Sequence, residues 1–177
     1  TRTGIVTEFN AGIIENLFIS GKIRDDSSSG QSAGVAYENN GTIRQVRMNA
    51  TVTSIERNAG IAYNQGSEGK IENSLVVGNV EKNLGESFAV VESGGTVSDT
   101  YYDTDIIDSA NNVGIGVTTP DATGPTPRCQ GTMSGLDFRN TWAANESAEY
   151  PQLSVFVNQR VSSVSNSNAP KGALWVQ

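Results

Sequence analysis

Apolar residues recur through residues 4–103 at spacings that fit neither a helix nor one long strand. Take as offset zero the apolar residue that follows a Gly-x pair. Four copies appear: Gly12-Ile13-Ile14, Gly41-Thr42-Ile43, Gly69-Lys70-Ile71 and Gly95-Thr96-Val97. Offset +3 holds Leu17, Val46, Ser74 and Thr100, and offset +5 holds Ile19, Met48, Val76 and Tyr102. Offset +9 holds Ile23, Val52 and Val80. A second pattern lies between copies: Ala33-Gly34-Val35-Ala36-Tyr37, Ala59-Gly60-Ile61-Ala62-Tyr63 and a degraded Phe88-Ala89-Val90-Val91, with Gly4-Ile5-Val6 as an earlier form. The offset-zero residues 14, 43, 71 and 97 are 29, 28 and 26 residues apart. Repeats of this length build stacked architectures.

A helical stripe needs offsets 0, +3, +4 and +7, which this pattern lacks. The +3 to +5 step is strand alternation, and the irregular steps mark corners. Ile, Val, Thr and Tyr fill the repeats, with Gly, Asn and Ser between them, so each repeat predicts two or three short strands joined by tight turns. One unit cannot bury its own apolar residues. Stacking places Ile14, Ile43, Ile71 and Val97 in one interior ladder, and Val35, Ile61 and Val90 in another, begun by Ile5. The predicted fold is all-β: a short parallel β-helix of about four coils, right-handed by the crossover rule, with a loop-rich C-terminal cap. Gly34 and Gly60 precede inward residues, where a corner calls for positive φ.

The rest divides by pattern. Residues 1–103 carry the solenoid repeats, 104–154 a loop-rich flank and aromatic cap, and 155–177 a strand-like tail. The stretch 104–132 is expected along the solenoid's flank. Phe138, Trp142, Tyr150 and Leu153 are expected to cover the last coil and its open strand edge. Leu153-Ser154-Val155-Phe156-Val157 and Ala173-Leu174-Trp175-Val176 read as strands separated by a Ser/Asn-rich loop. The tail is expected to fold back on its own solenoid or to add to a neighbouring copy. A coil begins at Gly4 with nothing before it as a cap. Upstream repeats of the same polypeptide, or another subunit, are expected to cover that end. Ile5, Leu174, Trp175 and Val176 are therefore the candidate assembly residues. A chain that starts at Thr1 reads as a processed or excised segment.

Composition narrows the function. A net charge of -7 with only four lysines gives no basic patch for phosphate, so nucleic acid is not an expected partner. The acidity fits an extracellular setting. No apolar run reaches the length of a membrane span. Cys129 is the single cysteine, so no internal disulfide framework exists.

The segments Ala33-Gly34-Val35-Ala36-Tyr37-Glu38-Asn39-Asn40-Gly41-Thr42-Ile43 and Gly69-Lys70-Ile71-Glu72-Asn73-Ser74-Leu75-Val76-Val77-Gly78-Asn79-Val80 resemble the GLUG repeat of bacterial surface proteins. Asp99-Thr100-Tyr101-Tyr102-Asp103-Thr104-Asp105 resembles the segment that ends such arrays. Met133, Leu136-Asp137-Phe138-Arg139-Asn140-Thr141-Trp142 and Tyr150-Pro151-Gln152-Leu153 resemble their closing cap. The resemblance implies a cell-surface or secreted location and an adhesive or structural role, with no reaction.

Candidate chemistry is sparse. Without histidine there is no Ser-His-Asp triad, and one Cys cannot build a zinc site. Glu15, Arg44 and Glu72 share offset +1 and read as charge pairing between coils. Thr51 and Thr53 have no partners in the next coil, which excludes a flat ice-binding row. Asp103, Asp105 and Asp108 offer oxygen ligands for Ca²⁺, the one cofactor considered. The polar loop Asp25-Asp26-Ser27-Ser28-Ser29-Gly30 is expected to project from the stack and to contact a surface glycan or protein receptor through Asp25, Asp26, Ser27 and Ser28. Asn40, Asn49 and Asn145 head sequons. The expected function is a non-enzymatic extracellular scaffold or adhesion module. Two alternatives stand beside it: a fibre subunit assembling head-to-tail through the solenoid ends and tail, and a carbohydrate-active or carbohydrate-binding β-helix.

Overall fold

The computed structural model describes residues 2–81, 84–110, 113–123, 126–144 and 149–157. Four rungs are stacked, each with three strands. The first holds β1 (Arg2–Gly4), β2 (Thr7–Asn10) and β3 (Ile13–Asp25). The second holds β4 (Gln31–Ala33), β5 (Ala36–Asn39) and β6 (Thr42–Ser54). The third holds β7 (Arg57–Ala59), β8 (Ala62–Gln65) and β9 (Lys70–Val76), and the fourth β10 (Glu86–Phe88), β11 (Val91–Ser93) and β12 (Thr96–Asp103). Corresponding strands pair in parallel and form three sheets, ordered β1-β4-β7-β10, β2-β5-β8-β11 and β3-β6-β9-β12. The chain is a β-solenoid of about three turns from Ile14 to Val97. Beyond it come β13 (Ile115–Val117), which extends the third sheet, then α1 (Thr119–Ala122), α2 (Thr126–Thr132) and the antiparallel pair β14 (Trp142–Ala143) and β15 (Gln152–Leu153).

The sequence register is the observed register in the third sheet. Ile14 pairs Ile43, Ile43 pairs Ile71, and Ile71 pairs Val97. Offset +5 stacks Ile19, Met48, Val76 and Tyr102, and offset +9 stacks Ile23, Val52 and Val80. These side chains fill one interior with Val35, Ile61 and Val90. Ile43, Ile61 and Ile71 are fully buried, and truncating any of them to Ala removes contacts worth about 2–5 kcal/mol.

The second ladder starts one residue later than the pattern indicates. Gly4 pairs Ala33 and Thr7 pairs Ala36, so Val6, not Ile5, precedes Val35. The Val6 N–H donates to the Val35 carbonyl at 3.0 Å, and Val35 donates in turn to Ile61 at 2.9 Å. The role of Gly34 and Gly60 also differs from expectation. Neither has positive φ. Each lies where the next rung presses: a Cβ on Gly34 would sit 2.1 Å from the Gly60 carbonyl oxygen, and one on Gly60 2.0 Å from that of Ala89.

The left-handed positions lie elsewhere. Asn16, Gln45, Asn73 and Asp99 all have positive φ (54°, 55°, 48° and 45°) and all occupy offset +2. This column is the corner that lets offsets +1 and +3 face opposite ways without a full strand reversal. A left-handed conformation costs a non-Gly residue about 1–2 kcal/mol, least for Asn and Asp. Two offset +3 hydroxyls stabilise the turn. Ser74 Oγ donates to the Glu72 carbonyl at 2.8 Å and accepts the Val46 N–H at 3.1 Å, and Thr100 Oγ1 donates to the Ser98 carbonyl at 2.9 Å. That explains polar residues at offset +3 in the third and fourth rungs. A second polar column sits at the preceding corner, where Asn10 Nδ2 donates to Asn39 Oδ1 at 2.8 Å, Asn39 Nδ2 to the Lys70 carbonyl at 3.2 Å, and Gln65 Nε2 to the Thr96 carbonyl at 3.1 Å.

The C-terminal half covers the solenoid with roles partly exchanged from those expected. Val117, Ala122 and Cys129 of the loop-rich stretch lie on the flank as expected, but its first part, not the aromatic cluster, closes the last rung. Ile107 and Val113 pack into the main core, Ser109 Oγ accepts the Ala89 N–H at 2.9 Å, and β13 pairs along β12. The aromatic cluster lies on the outer face of the third sheet. Trp142, Met133, Leu136 and Leu153 bury Leu75 and Tyr101, which occupy the outward offset +4. The cover docks on the left-handed column: Trp142 Nε1 donates to Asn73 Oδ1 at 2.7 Å, Asn73 Nδ2 to the Gly135 carbonyl at 3.1 Å, and Gln45 Nε2 to Thr141 Oγ1 at 3.3 Å. Only Leu153 of the expected strand 153–157 is in β15, and 154–157 are helical. Phe156 there meets Phe18 of β3, ring centroids 6.2 Å apart.

Glycine substitutions separate close approach from simple flexibility. Gly60→Ala is expected to cost about 1–3 kcal/mol or more in denaturant unfolding, because the rung spacing cannot widen locally. Gly131→Ala, with nothing within 4 Å of its added Cβ and a helical position, is expected to be neutral or to stabilise by about 0.5–1 kcal/mol.

Candidate functional site

Three features outside the interior ladders hold side chains able to act on something else. The first is a groove beside the 25–30 loop. Connections between the third and first sheets differ in length: residues 26–30 after the first rung, only 55–56 after the second, and 81–85 after the third. A short link between two longer ones leaves a shallow groove of about 580 Å³, lined by Ser28, Gln31, Ile55, Glu56, Arg57, Leu84 and Gly85. Leu84 is 88% exposed, the most exposed large apolar side chain described. Arg57 is held by Glu92 at 2.5 Å and Glu86 at 3.6 Å, a half-exposed network worth little in stability but fixed in position.

The loop residues divide. Asp25 is buried and serves the loop itself. Its Oδ1 accepts the Ser27 N–H at 3.0 Å and its Oδ2 the Thr3 hydroxyl at 3.4 Å. Burial opposes its charge, but the hydrogen bonds from Ser27 prevail and lower its pKa. Asp26 is exposed and paired with Arg24 at 2.6 Å, and Ser28 faces the groove. Ser27 is half-buried between them.

The second feature is the acid cluster. Asp103 is fully buried, and its carboxylate accepts three hydrogen bonds: the Asp105 N–H on Oδ1 at 2.8 Å, and the Thr119 hydroxyl at 2.7 Å and the Tyr150 hydroxyl on Oδ2. Asp105 Oδ2 accepts the Thr119 N–H at 2.8 Å. The Asp108 carbonyl accepts the Ser87 hydroxyl at 2.6 Å. Asp103 thus ties the end cover to the flank cover. Among the described residues no three Asp, Glu, Cys or His side chains converge as a metal site. Burial, then the Asp103 carboxylate, pushes the Tyr150 phenol up to about 12. Cys129 is buried near the Ala122 carbonyl, and burial pushes its thiol up to about 11. It stays protonated and unreactive at neutral pH.

The third feature is the first rung. Ile5, Val6, Phe9 and Ile13 are 46–65% exposed, four of the nine exposed large apolar side chains among the described residues. Among the described residues nothing stacks on this rung. Residues 5, 6, 9 and 13 share one end of the stack although their spacing follows no single period, so only Ile5 was identifiable from the pattern. Of the other predicted positions, Arg44 meets Glu15 at 2.6 Å, as the offset +1 column requires. Asn49 is exposed on β6, whereas Asn40 donates to Glu38 Oε1 at 3.3 Å in a half-buried bend. Asn145, Leu174, Trp175 and Val176 lie outside the described residues. No described helix is long and apolar enough to cross a membrane.

No protein-family model, no curated protein and no solved structure matches this chain.

The Tyr150–Asp103 contact predicts an alkaline transition. The folded state raises the Tyr150 pKa above the unfolded value of about 10. The associated stability is complete below about pH 10 and is lost as pH rises towards about 12. Tyr150→Phe should flatten that part of the melting temperature versus pH curve, and an unchanged slope would contradict the assignment.

Proposed function

We propose that this chain is a non-enzymatic extracellular scaffold or adhesion module. The observation that carries the reading is where the repeated residues go. They fill interior ladders, left-handed corners and close glycine contacts, and the outward offset +4 positions of the third and fourth rungs lie under the C-terminal cover. The described residues expose, among other surfaces, a shallow groove rimmed by Leu84 and an apolar end rung, which suit contact with another macromolecule. The resemblance to GLUG repeats and the net charge of -7 support a surface or secreted setting.

A second reading rests on the first rung alone. Its exposed edge strands and apolar side chains suit stacking on another rung, from upstream repeats or from a second copy, and repeated stacking builds a fibre. A carbohydrate-active reading has less support, because Glu15 and Arg44 neutralise each other and Asp103 is enclosed by hydrogen bonds.

Binding without turnover is the expected result when the purified chain is applied to glycan and surface-protein arrays and, in parallel, incubated with polysaccharides. Leu84→Asp should weaken a captured ligand about tenfold, or about 1.4 kcal/mol. Release of reducing ends above background would overturn the scaffold reading. Ordered filaments of the chain in electron micrographs would select the second.

A further inference from the structure

We propose that one buried water molecule is a structural part of this solenoid, bound inside the second rung between Ser32 Oγ and Asn58 Oδ1. The inference is independent of what the module binds. Three observations carry it.

The first is a polar seam inside the stack, at the corner between the end of the third sheet and the first sheet. Thr3, Ser32, Asn58 and Ser87 form one register column of the first sheet, each pairing the next. Ser32, Asn58 and Ser87 are buried. In the first, third and fourth rungs the column residue bonds across the corner to the chain that closes its rung. Thr3 Oγ1 donates to Asp25 Oδ2 at 3.4 Å, Asn58 Nδ2 to the Glu81 carbonyl at 2.7 Å, and Ser87 Oγ to the Asp108 carbonyl at 2.6 Å. The second rung breaks the pattern. Ser32 is fully buried, and its hydroxyl meets no donor or acceptor among the described residues. Across the corner from it, Ser54 donates to the Arg57 carbonyl at 2.9 Å instead.

The second is the Asn58 amide. Its bond to the Glu81 carbonyl fixes which way it faces, because the reverse orientation would set two oxygens against each other. Oδ1 therefore points away from that carbonyl. It is buried and accepts no hydrogen bond among the described residues. Asn58 lies beside Ser32 in direct register. Two buried polar atoms on adjacent rungs thus lack partners, and one of them can only accept. A single water donates to Asn58 Oδ1 and meets the Ser32 hydroxyl, which is the service that buried waters perform in protein interiors.

The third is side-chain size. Asp25 pairs Ser54 in the third sheet, so the corner that holds Thr3 and Asp25 in the first rung holds Ser32 and Ser54 in the second. That change removes more side-chain atoms than a single water restores. In the third rung the Asn58 side chain is long enough to cross the corner, and in the fourth the Asp108 carbonyl comes to meet Ser87. The second rung is the place in the seam where both facing side chains are short. Leaving both polar atoms unpaired there costs more than ordering one water.

A crystal structure of the full chain at atomic resolution tests this. It should show one ordered water about 2.5–3.0 Å from both Ser32 Oγ and Asn58 Oδ1. Ser32→Asn should place an amide in the same position. Its Nδ2 should donate to Asn58 Oδ1, as Asn10 Nδ2 does to Asn39 Oδ1 between the first two rungs. In solution, oxygen-17 relaxation dispersion should then count one long-lived water fewer in Ser32→Asn than in the parent chain. A direct hydrogen bond from Ser32 Oγ to Asn58 Oδ1 with no density between other partners would overturn the inference, as would equal dispersion in the two folded chains. If Ser32→Asn does not fold, the density in the parent chain decides alone.

Discussion

Hydrogen bonding from each rung to the next, in one register, is the constraint on which the rest of this molecule depends. A β-solenoid has no independent layer to hold its strands in place. A one-residue slip in a single strand would turn an interior column towards solvent. Here the register is fixed three times per turn: by the Gly-to-next-residue hydrogen bond at the start of the third sheet, by the left-handed corner at offset +2, and by the side-chain amide of Asn10, Asn39 or Gln65 reaching the next rung at the preceding corner. The apolar ladders then pack in the only arrangement left to them. The flank cover depends on the same constraint, because Trp142, Gly135 and Thr141 meet corner side chains that the register has already aligned.

Much of this was legible in the sequence, for a simple reason. Interior columns need apolar residues, and a parallel stack repeats the need at every turn, so Ile14, Ile43, Ile71 and Val97 reveal their own register. The slip at Ile5 shows the limit of identity as a guide. The repeat pattern matches Gly4 to Gly34 because both are glycine, but they answer different contacts. Gly34 makes room for the Gly60 carbonyl, whereas Gly4 makes room for the Thr7 carbonyl and the Tyr37 N–H. The left-handed column was not legible. Asn16, Gln45, Asn73 and Asp99 share a backbone conformation and not a side chain, and polar residues between strands read equally well as ordinary turn.

The exchanged roles of the two covers have a comparable cause. Aromatic clusters signal burial without saying against which surface. Leu75 and Tyr101, outward on the third sheet, make the flank an apolar face that needs a cover. A polar stretch around Ile107 was enough to close the end, because the last rung also needed hydrogen-bond partners for its backbone, which Ser109 and β13 provide. The candidate chemistry was legible as residue types and not as roles. Asp25 and Asp103 looked like surface ligands in the sequence, and both are held by neighbouring N–H and O–H groups that stabilise the fold. The exposed surface that remains, at the groove and the first rung, arises from unequal loop lengths and from stacking geometry.

Cross-rung methyl contacts test the central claim most directly. In a methyl-labelled sample, NMR should show contacts between Ile14 and Ile43, between Ile43 and Ile71, and between Ile71 and Val97, with none between Ile14 and Ile71. Contacts displaced to another offset, such as Ile43 with Leu75, or direct contact between Ile14 and Ile71, would contradict the register and the solenoid built on it.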